Sequence, residues 1–450
     1  MTFKKILLIL WLMSPAILLA GNISELILPN GLKIIVKPDQ RSPVAVIQVW
    51  YKVGSAYERE GNTGISHMLE HLMFKAGNNV ILGQSFNQLS AVGAKGNGYT
   101  SRDHTFYYHI LEKNHLALAF ELEAERMQNL SPAINDFSIE KKIIREEFDT
   151  RINSDPYLPA YNALYQQAFK NKAYQFPVIG RPKDLDDLSL PKTMNWYKNH
   201  YTPDNATIVV VGDVNTSNVF QLAKKYFSPL TKSRQASHYY LETKEKTIVK
   251  EKLKPERLIV MPTMTEVAMI LFAYKVPSIK TSLPDWEAYA LEVLAGWIDS
   301  NTNSHLSKAL INNKQLAYDI SVRYSPMSKK NTLFILEAIP AYNVSLKQLK
   351  QSMNDAIRNI KNDLISQKNL LKIKTQMIAT EIFERDSIYT QAKIIGQAES
   401  VGIHWLEDAQ YISRIKAVTA EQIKKVLAKY FITSNEYIVI QNSHNGSALY

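Results

Sequence analysis

The chain contains an internal repeat, and this repeat restricts the possible folds more than any other feature of the sequence. Residues 44–55 and 267–278 are similar apolar segments that lie 223 positions apart. Residues 201–211 and 431–440 form a second similar pair, 230 positions apart. Two pairs with nearly the same separation indicate a duplicated domain of roughly 200 to 220 residues.

Each copy alternates β-branched apolar segments with longer amphipathic segments. The repeated segments have the composition of buried strands. Amphipathic helices are predicted over residues 116–130 and 346–365. Because each copy supplies both strands and helices, we expect two domains of the same fold, each a sheet covered by helices.

Polar residues mark the boundary between the two copies. Lys, Ser, Thr and Glu dominate residues 228–250, and the apolar periodicity lapses there. We therefore expect a signal segment, an N-terminal domain, a linker and a C-terminal domain. Their predicted bounds are residues 1–20, 21–232, 233–250 and 251–445.

The first twenty residues have the pattern of a secretory signal. Lys4 and Lys5 precede an apolar run, and small residues lead to a predicted cleavage site after Ala20. An uncleaved membrane anchor is the alternative, but about 15 apolar residues interrupted by Pro15 fall short of the ~20 that span a bilayer. No later segment is long and apolar enough to span. The sequence therefore predicts an exported protein, most simply a periplasmic one.

Composition excludes several classes of chemistry and of partner. The chain has no Cys, so disulfides, thiolate metal sites and cysteine nucleophiles are excluded. The formal net charge is +11, and it falls to +9 when the predicted signal leaves with its two lysines. Because the basic residues are dispersed and form no long run, we expect no nucleic-acid partner.

The chemistry of the first copy is concentrated in a short segment with two histidines and a glutamate. A helix is predicted from about Thr63 to Gly77. His67 and His71 are four residues apart and face the same side, where two imidazoles can bind one zinc ion at ~2.0 to 2.1 Å. Glu70 lies beside that face and suits a general base, since zinc lowers the pKa of a bound water towards ~7.

A catalytic zinc usually has three protein ligands, so the third must come from another element. The best candidate is a helix predicted over residues 138–151. Glu140 and Glu147 lie two turns apart on one face of that helix. Glu147 is the predicted ligand, Glu146 is the adjacent alternative, and Glu140 is expected to orient a ligand.

A His-x-x-Glu-His match also arises by chance. The alternative interpretation is a surface helix with two solvated histidines, or a partly buried pair satisfied by hydrogen bonds. Other histidines lack ligand spacing, and a structural role is favoured for them: His104, His109, His115, His200 and His305.

The motif, followed 76 residues later by Glu147, resembles the inverted zinc motif and distal glutamate of the pitrilysin/insulysin and mitochondrial processing peptidase family, the inverzincins. The similarity extends along nearly the whole mature chain and includes Gly180 and residues 201–205. The resemblance implies an α+β fold of two duplicated domains, each a mixed, largely antiparallel sheet covered by helices.

The resemblance also implies an activity, a zinc-dependent endopeptidase acting on peptides or unfolded segments. His67, His71 and Glu147 would bind one Zn2+ per chain, with Glu70 as the catalytic base and Glu140 matching a glutamate that supports the ligands. One segment resembles the edge strand on which a peptide lies as an added strand. Its residues are Asn97, Gly98, Tyr99 and Thr100.

The second copy lacks the metal motif. At a shift of 223, Ala290, Val293 and Leu294 take its positions, so this copy cannot hold a metal. Family members with a complete site contribute an Arg and a Tyr, seven residues apart, from this region. Tyr318 matches the Tyr as a catalytic residue, whereas Ile311 stands where the Arg is expected.

The resemblance implies that substrate is enclosed by four such domains, and this chain supplies two. We therefore expect a dimer. Ile311 favours a heterodimer with a homologous subunit that supplies the Arg and Tyr, and a homodimer is the alternative. The competing function is a non-catalytic binding or assembly subunit of the same fold. A decaying site of that kind would be expected to lose at least one of its four residues.

Overall fold

The structure is a computed structural model of the chain. The residues it describes are 17–20, 23–75, 80–170, 172–232, 257–261, 266–299 and 304–443. The predicted linker at 233–250 and residues 1–16 of the predicted signal lie outside the described residues.

Strands occur in both halves of the chain. They are β1 (Ile17–Ala20), β2 (Ile23–Ile27), β3 (Lys33–Pro38), β4 (Val44–Tyr51), β5 (Lys95–Thr100), β6 (Thr105–Glu112), β7 (Ala206–Gly212), β8 (Arg257–Met261), β9 (Met269–Val276), β10 (Ala317–Tyr324), β11 (Thr332–Pro340) and β12 (Glu436–Gln441).

Helices connect and cover these strands. They are α1 (Ile65–Leu72), α2 (Val80–Ala91), α3 (Leu116–Gln128), α4 (Ile134–Ser154), α5 (Leu158–Ala168), α6 (Lys172–Gln175), α7 (Pro182–Asp187), α8 (Leu190–His200), α9 (Thr216–Phe227), α10 (Trp286–Ile298), α11 (Leu346–Asn362), α12 (Gln367–Glu384), α13 (Ile388–Ser400), α14 (Leu406–Ala417) and α15 (Ala420–Tyr430).

In the described residues the strands form two sheets, and the same five-strand arrangement occurs in both. The first sheet has the order β1-β2-β3-β7-β4-β6-β5, and the second has the order β8-β12-β9-β11-β10. β3 pairs parallel with β7, as β8 does with β12, and the other pairs are antiparallel. The predicted fold of two mixed, largely antiparallel sheets with helices is confirmed.

The strand register repeats with the separations found in the sequence. Val49 pairs with Ile208 in the first sheet, and Phe272 pairs with Ile438 in the second. The two members of the second pair follow those of the first by 223 and 230 positions. Because register decides which side chains face the core, the two copies bury equivalent positions.

One face of each sheet is covered by a helix from the other domain. α5 of the first domain packs on the second sheet through Ala160 and Leu164. α13 of the second domain packs on the first sheet through Ala392 and Ile395. The two helices begin 230 positions apart, which is the separation of the internal repeat, so each copy contributes the equivalent helix to the sheet of the other. The two domains therefore share apolar cores and pack as one unit.

Several helix ends differ from the prediction. α1 ends at Leu72 and not near Gly77, because the amides of Met73 and Phe74 close a turn on the last carbonyls of the helix. α4 extends beyond the predicted 138–151 at both ends, and α3 and α11 end two and three residues early. Gly77 itself lies outside the described residues.

β1 falls within the predicted signal segment. It pairs with β2 at the outer edge of the first sheet. Cleavage after Ala20 would remove this edge strand and leave β2 paired with β3. Across the described ranges, no helix combines the length and the apolar character needed to cross a bilayer.

Candidate metal centre

The short helix α1 places both histidines of the motif on one face. Met68, Leu69 and Leu72 are fully buried in the core of the first domain, which fixes the rotation of the helix. His67 and His71 project together from the other side, and their ring centroids are 4.8 Å apart. The spacing of four residues therefore places both imidazoles on the same face of the helix, as predicted.

Helix α4 brings a glutamate to the two imidazoles. Ile144 anchors α4 in the same core. Oε2 of Glu147 lies 3.7 Å from Nε2 of His67 and 3.6 Å from Nε2 of His71. Glu146, the alternative ligand, is exposed to solvent. The structure thus places Glu147, and not Glu146, beside the histidines.

These three side chains fit the ligand set of a tetrahedral zinc ion. Their donor atoms all lie within 4.8 Å of one another. Ligands at ~2.0 to 2.1 Å from a tetrahedral ion lie about 3.4 Å apart, close to the two distances from Glu147. Burial lowers the pKa of His67 to about 4, so its imidazole is neutral at neutral pH, as a metal ligand must be.

Glu140 orients His71 from the other side of its ring. Oε2 of Glu140 lies 2.9 Å from Nδ1 of His71, and Oε1 lies 2.7 Å from Nζ of Lys75. Burial alone would raise the pKa of Glu140, but hydrogen bonds from Lys75 and His71 lower it below its usual range. An ionised carboxylate at this place favours the tautomer with the proton on Nδ1, which leaves Nε2 facing Glu147.

Charged neighbours keep Glu147 ionised. Hydrogen bonding with His71 lowers the pKa of Glu147. Arg151, one turn later on α4, forms an ion pair with Oε1 of Glu147. Burial acts to lower the pKa of His71, but hydrogen bonds with Glu147 and Glu140 raise it overall. Oε2 of Glu147 is therefore a negatively charged oxygen directed at both imidazoles.

Glu70 lies on α1 beside these side chains and is held by β5. The hydroxyl of Thr100, the last residue of β5, donates a hydrogen bond to Oε2 of Glu70. Burial raises the pKa of Glu70. A fixed carboxylate with a raised pKa next to a metal site is suited to accept a proton and to return it.

Strand β5 forms an edge of the first sheet and passes close to Glu70. A Cβ placed on Gly98 would lie 3.1 Å from Cγ of Glu70. The neighbouring residues Asn97 and Tyr99 are exposed. Three of the four residues expected to bind peptide are therefore at or near the surface of this edge, and the fourth, Thr100, contacts Glu70.

The structure does not bring Tyr318 into this cluster. It lies in the second domain, at a bulge where β10 begins, and 78% of its side chain is exposed. Among the contacts of the described residues, it makes no hydrogen bond to the metal centre. Ile311 packs partly buried against the core of the second domain and offers no charge.

The second copy has replaced the metal motif by core residues. Ala290, Val293 and Leu294 of α10 are fully buried in the apolar core of the second domain. Apolar side chains at these positions cannot bind a metal ion.

Two of the remaining histidines, His104 and His109, are buried against structural partners in the first domain. Nε2 of His109 lies 2.8 Å from Oε1 of the buried Glu123. His104 packs against the ring of Trp50, and burial lowers the pKa of His104 to about 4.

A second group of possible metal ligands lies between the domains and consists of Glu25, Glu399 and His404. Nζ of Lys33 lies 3.0 Å from Glu399 and 3.5 Å from Glu25. Because Lys33 pairs with both carboxylates and the N–H groups of Trp405 donate to both, these residues form an interdomain ion-pair cluster.

Sequence reasoning missed Lys75 and Arg151, which hold Glu140 and Glu147. A signal was present for Arg151, which follows Glu147 by four residues and therefore faces the same side of α4. Lys75 lies beyond the end of α1 and pairs with a residue of another helix, a contact that no local spacing indicates.

Two family models match the chain over consecutive stretches. The model described as Insulinase (Peptidase family M16) matches residues 33–181, which contain the candidate metal centre. The model described as Peptidase M16 inactive domain matches residues 187–377, which contain the metal-free α10.

Bacterial proteins named as zinc proteases are similar along most of the chain. "Zinc protease PqqE" of Helicobacter pylori (strain ATCC 700392 / 26695) is 28% identical over 367 residues, 80% of this chain and 79% of that protein. "Uncharacterized zinc protease YmxG" of Bacillus subtilis (strain 168) is 23% identical over 417 residues, 92% of this chain and 97% of that protein.

Solved structures share the fold. A protease from Helicobacter pylori has a TM-score of 0.83 at 26% identity and covers 95% of this chain and 99% of its own. The periplasmic protease PqqL from Escherichia coli has a TM-score of 0.77 at 16% identity, over 97% of this chain and 49% of its own. With both family models and these similarities, the chain belongs to peptidase family M16 and is a half-size, two-domain member of it.

Proposed function

We propose that the chain is a zinc-dependent endopeptidase that hydrolyses peptides or unfolded segments. The observation that carries the proposal is the convergence of His67, His71 and Glu147 from two helices, next to Glu70 and an open strand edge. The names of the bacterial relatives agree with it. A non-catalytic subunit would not need these four groups in one place.

Each residue around the proposed zinc ion has a separate task. His67, His71 and Glu147 would hold the ion, while Glu140 keeps the His71 ring oriented. Zinc at this place would lower the pKa of a water molecule towards ~7 and polarise the peptide carbonyl.

Glu70 would carry the proton during hydrolysis. Its carboxylate takes a proton from the attacking water and then gives it to the nitrogen of the leaving amine. The hydrogen bond from Thr100 holds the carboxylate in place through both transfers. Burial raises the pKa of Glu70 from its ordinary value, which brings proton uptake and release closer to neutral pH.

The substrate would bind along β5 as an additional strand. Asn97, Gly98, Tyr99 and Thr100 would contact mainly the peptide backbone, a mode that tolerates many sequences. Because Gly98 lies against Glu70, a peptide bound at this edge would pass close to the base.

We further propose that the active unit is a dimer. The exposed Tyr318 and the uncharged Ile311 leave the site of a single chain without the Arg and Tyr expected of the family. A homologous partner that supplies both would complete it, so a heterodimer is favoured over a homodimer. The mature chain should therefore show little peptidase activity when purified alone. Full activity of a homodimer would contradict this part of the proposal.

The first twenty residues support export across the inner membrane to the periplasm. The structural relative from Escherichia coli is described as a periplasmic protease. Fractionation of cells and N-terminal sequencing of the mature protein should place it in the periplasm with a terminus near Gly21.

The test of the catalytic proposal is Glu70→Gln in the full chain, with any copurifying partner retained. The variant should hold one zinc per chain by metal analysis, while cleavage of a mixed peptide library falls at least ~100-fold. Glu146→Gln is the matched control, because Glu146 is an exposed glutamate beside the ligand and should leave both readouts unchanged. Wild-type protein without zinc, or cleavage that survives Glu70→Gln, would show the proposal to be wrong.

A further inference from the structure

The helix that carries the metal motif has no N-terminal cap of its own. Its N-cap residue, Gly64, has a left-handed backbone (φ +86°) and no side chain to accept from the first turn. A Cβ at Gly64 would lie 2.5 Å from the carbonyl oxygen of Ile179. The usual capping residues, Ser, Thr, Asp and Asn, are therefore excluded here, and the first-turn amides need another acceptor.

Glu58 supplies that acceptor from six residues upstream. One carboxylate oxygen accepts from the amide of Gly64 at 2.7 Å, and the other accepts from the amide of Ser66 at 2.9 Å. Glu58 is 3% exposed, and it follows a short 3-10 turn, Ser55–Tyr57, that places its side chain at the N-terminal end of α1. A carboxylate at the N-terminus of a helix also interacts favourably with the helix dipole.

A neighbouring carboxylate, Asp184, holds the segment before the helix and not the helix itself. It accepts from the hydroxyl of Thr63 at 2.6 Å and from the amide of Gly61 at 3.3 Å. Arg181 neutralises it. Of these two buried carboxylates, only Glu58 bonds to an amide within α1.

The metal-free copy uses a different arrangement at the corresponding place. At the shift of 223, Thr281 stands for Glu58 and Glu287 stands for Gly64. Glu287 lies in the first turn of α10 and binds Lys429 and Tyr430. Among the described residues, no upstream carboxylate accepts from the first-turn amides of α10. The hydroxyl of Ser282 accepts from the amide of Ala288 at 3.2 Å instead, so the Glu58 arrangement accompanies the copy that has the metal motif.

We propose that Glu58 is a positioning residue for the metal centre, an inference that rests on the proposed zinc function. Its two hydrogen bonds fix the first turn of α1, and His67 is the residue directly after Ser66. α1 has only eight residues, and so short a helix depends on contacts from outside for its order. Glu58 therefore sets where the imidazoles of His67 and His71 meet Glu147, although it touches neither metal nor substrate.

The test compares two buried Glu→Gln variants in the full chain. Glu58→Gln keeps the side-chain volume, but the glutamine side chain has only one oxygen acceptor. Its NH2 group takes the place of the second oxygen and faces a backbone N–H, so one of the two hydrogen bonds is lost. Glu287→Gln is the matched control. It alters a glutamate that is 4% exposed in the equivalent helix of the second domain, far from any metal ligand in sequence.

The main readout is zinc affinity of the apoprotein, measured against a chromophoric chelator at pH 8. This pH lies above the pKa of Glu58, which burial raises to about 7. We expect the zinc Kd of Glu58→Gln to rise about tenfold or more, and that of Glu287→Gln to stay within about twofold of wild type. At saturating zinc, and with any copurifying partner retained, kcat of Glu58→Gln should fall while KM stays near wild type, because β5 is untouched.

Each outcome decides the question. An unchanged zinc Kd in Glu58→Gln overturns the proposal, and so does an equal rise in both variants, which would indicate general destabilisation. If Glu58→Gln does not fold, Glu58→Asp replaces it. The shorter carboxylate keeps the charge but not both bonds, and unchanged zinc affinity in this variant also overturns the proposal. Wild-type protein that binds no zinc would instead refute the proposed function.

Discussion

The carboxylate of Glu140 offers the sharpest quantitative test of the metal centre. Glu140→Gln keeps the shape and one acceptor, but it replaces a charged partner of His71 by a neutral one. The Oε2 to Nδ1 distance is 2.9 Å and Glu140 is 3% exposed, so this hydrogen bond has an ordinary length and its acceptor is shielded from water. Hydrogen bonds to charged groups contribute ~1.5 to 3 kcal/mol, and neutral ones ~0.5 to 1.5 kcal/mol.

The midpoints of these ranges differ by about 1.3 kcal/mol, which corresponds to roughly tenfold in a binding constant. This value agrees with the 10- to 100-fold losses usual when a group that orients a metal-binding histidine is changed. We therefore expect the zinc Kd of Glu140→Gln to rise about tenfold, measured by chelator competition on the apoprotein at 25 °C.

The control for this experiment is Lys75→Gln. Lys75 is the other partner of Glu140, but its side chain is 40% exposed, so the loss of its charge is largely compensated by water. We expect less than about threefold change in zinc Kd. If Glu140→Gln bound zinc as tightly as wild type, Glu140 would not orient His71 in the way the geometry indicates.

Two further predictions concern stability. Gly396→Ala should lower the free energy of unfolding by about 2 kcal/mol in chemical denaturation, because the new Cβ would lie 2.0 Å from Nε1 of the fully buried Trp50. In the helical control Gly296→Ala the new Cβ would lie 3.0 Å from Cγ2 of Ile373 and 3.6 Å from Sδ of Met377, contacts that a small shift relieves, so stability should change much less. Equal effects of the two substitutions would contradict the interdomain packing. Burial raises the pKa of Glu292 from 4.5 to about 7. The preference of the folded protein for the protonated carboxyl therefore contributes fully to stability below pH ~4.5, and this contribution is lost as the pH rises through 7. Between pH 5 and 8, the unfolding free energy of wild type should therefore fall by on the order of 3 kcal/mol more than that of Glu292→Gln. Curves of unfolding free energy against pH that run parallel for the two proteins would refute this prediction.

The sequence was sufficient where a local pattern determines the structure. The spacing of His67 and His71 predicts a shared helix face, and the repeat predicts two similar sheets, because both depend on periodicity alone. Periodicity also left Glu146 and Glu147 as alternatives, since adjacent residues differ by only 100° around a helix. The buried anchor at Ile144 resolved that choice in the structure.

Contacts between distant segments could not be predicted in the same way. Ala392 and Ile395 make α13 amphipathic, but nothing in that pattern says that its apolar face covers the sheet of the other domain. The hydrogen bonds that Glu58 accepts at the start of α1 could not be predicted for a related reason. Glu58 lies six residues before Gly64, and its carboxylate reaches the amides of Gly64 and Ser66 only because the loop between Glu58 and Gly64 folds back. The sequence alone does not indicate that fold of the loop.

The comparison of α1 with α10 separates what the fold requires from what the site requires. At the same positions, α10 buries Ala290, Val293 and Leu294, whereas α1 carries polar, ionisable groups. Burying such groups is unfavourable unless each finds a partner. In α1, Glu70 bonds to Thr100 and the histidines face carboxylates of α4. The charged network around α1 is thus a consequence of the site and not of the fold, because α10 forms the equivalent helix with an apolar face.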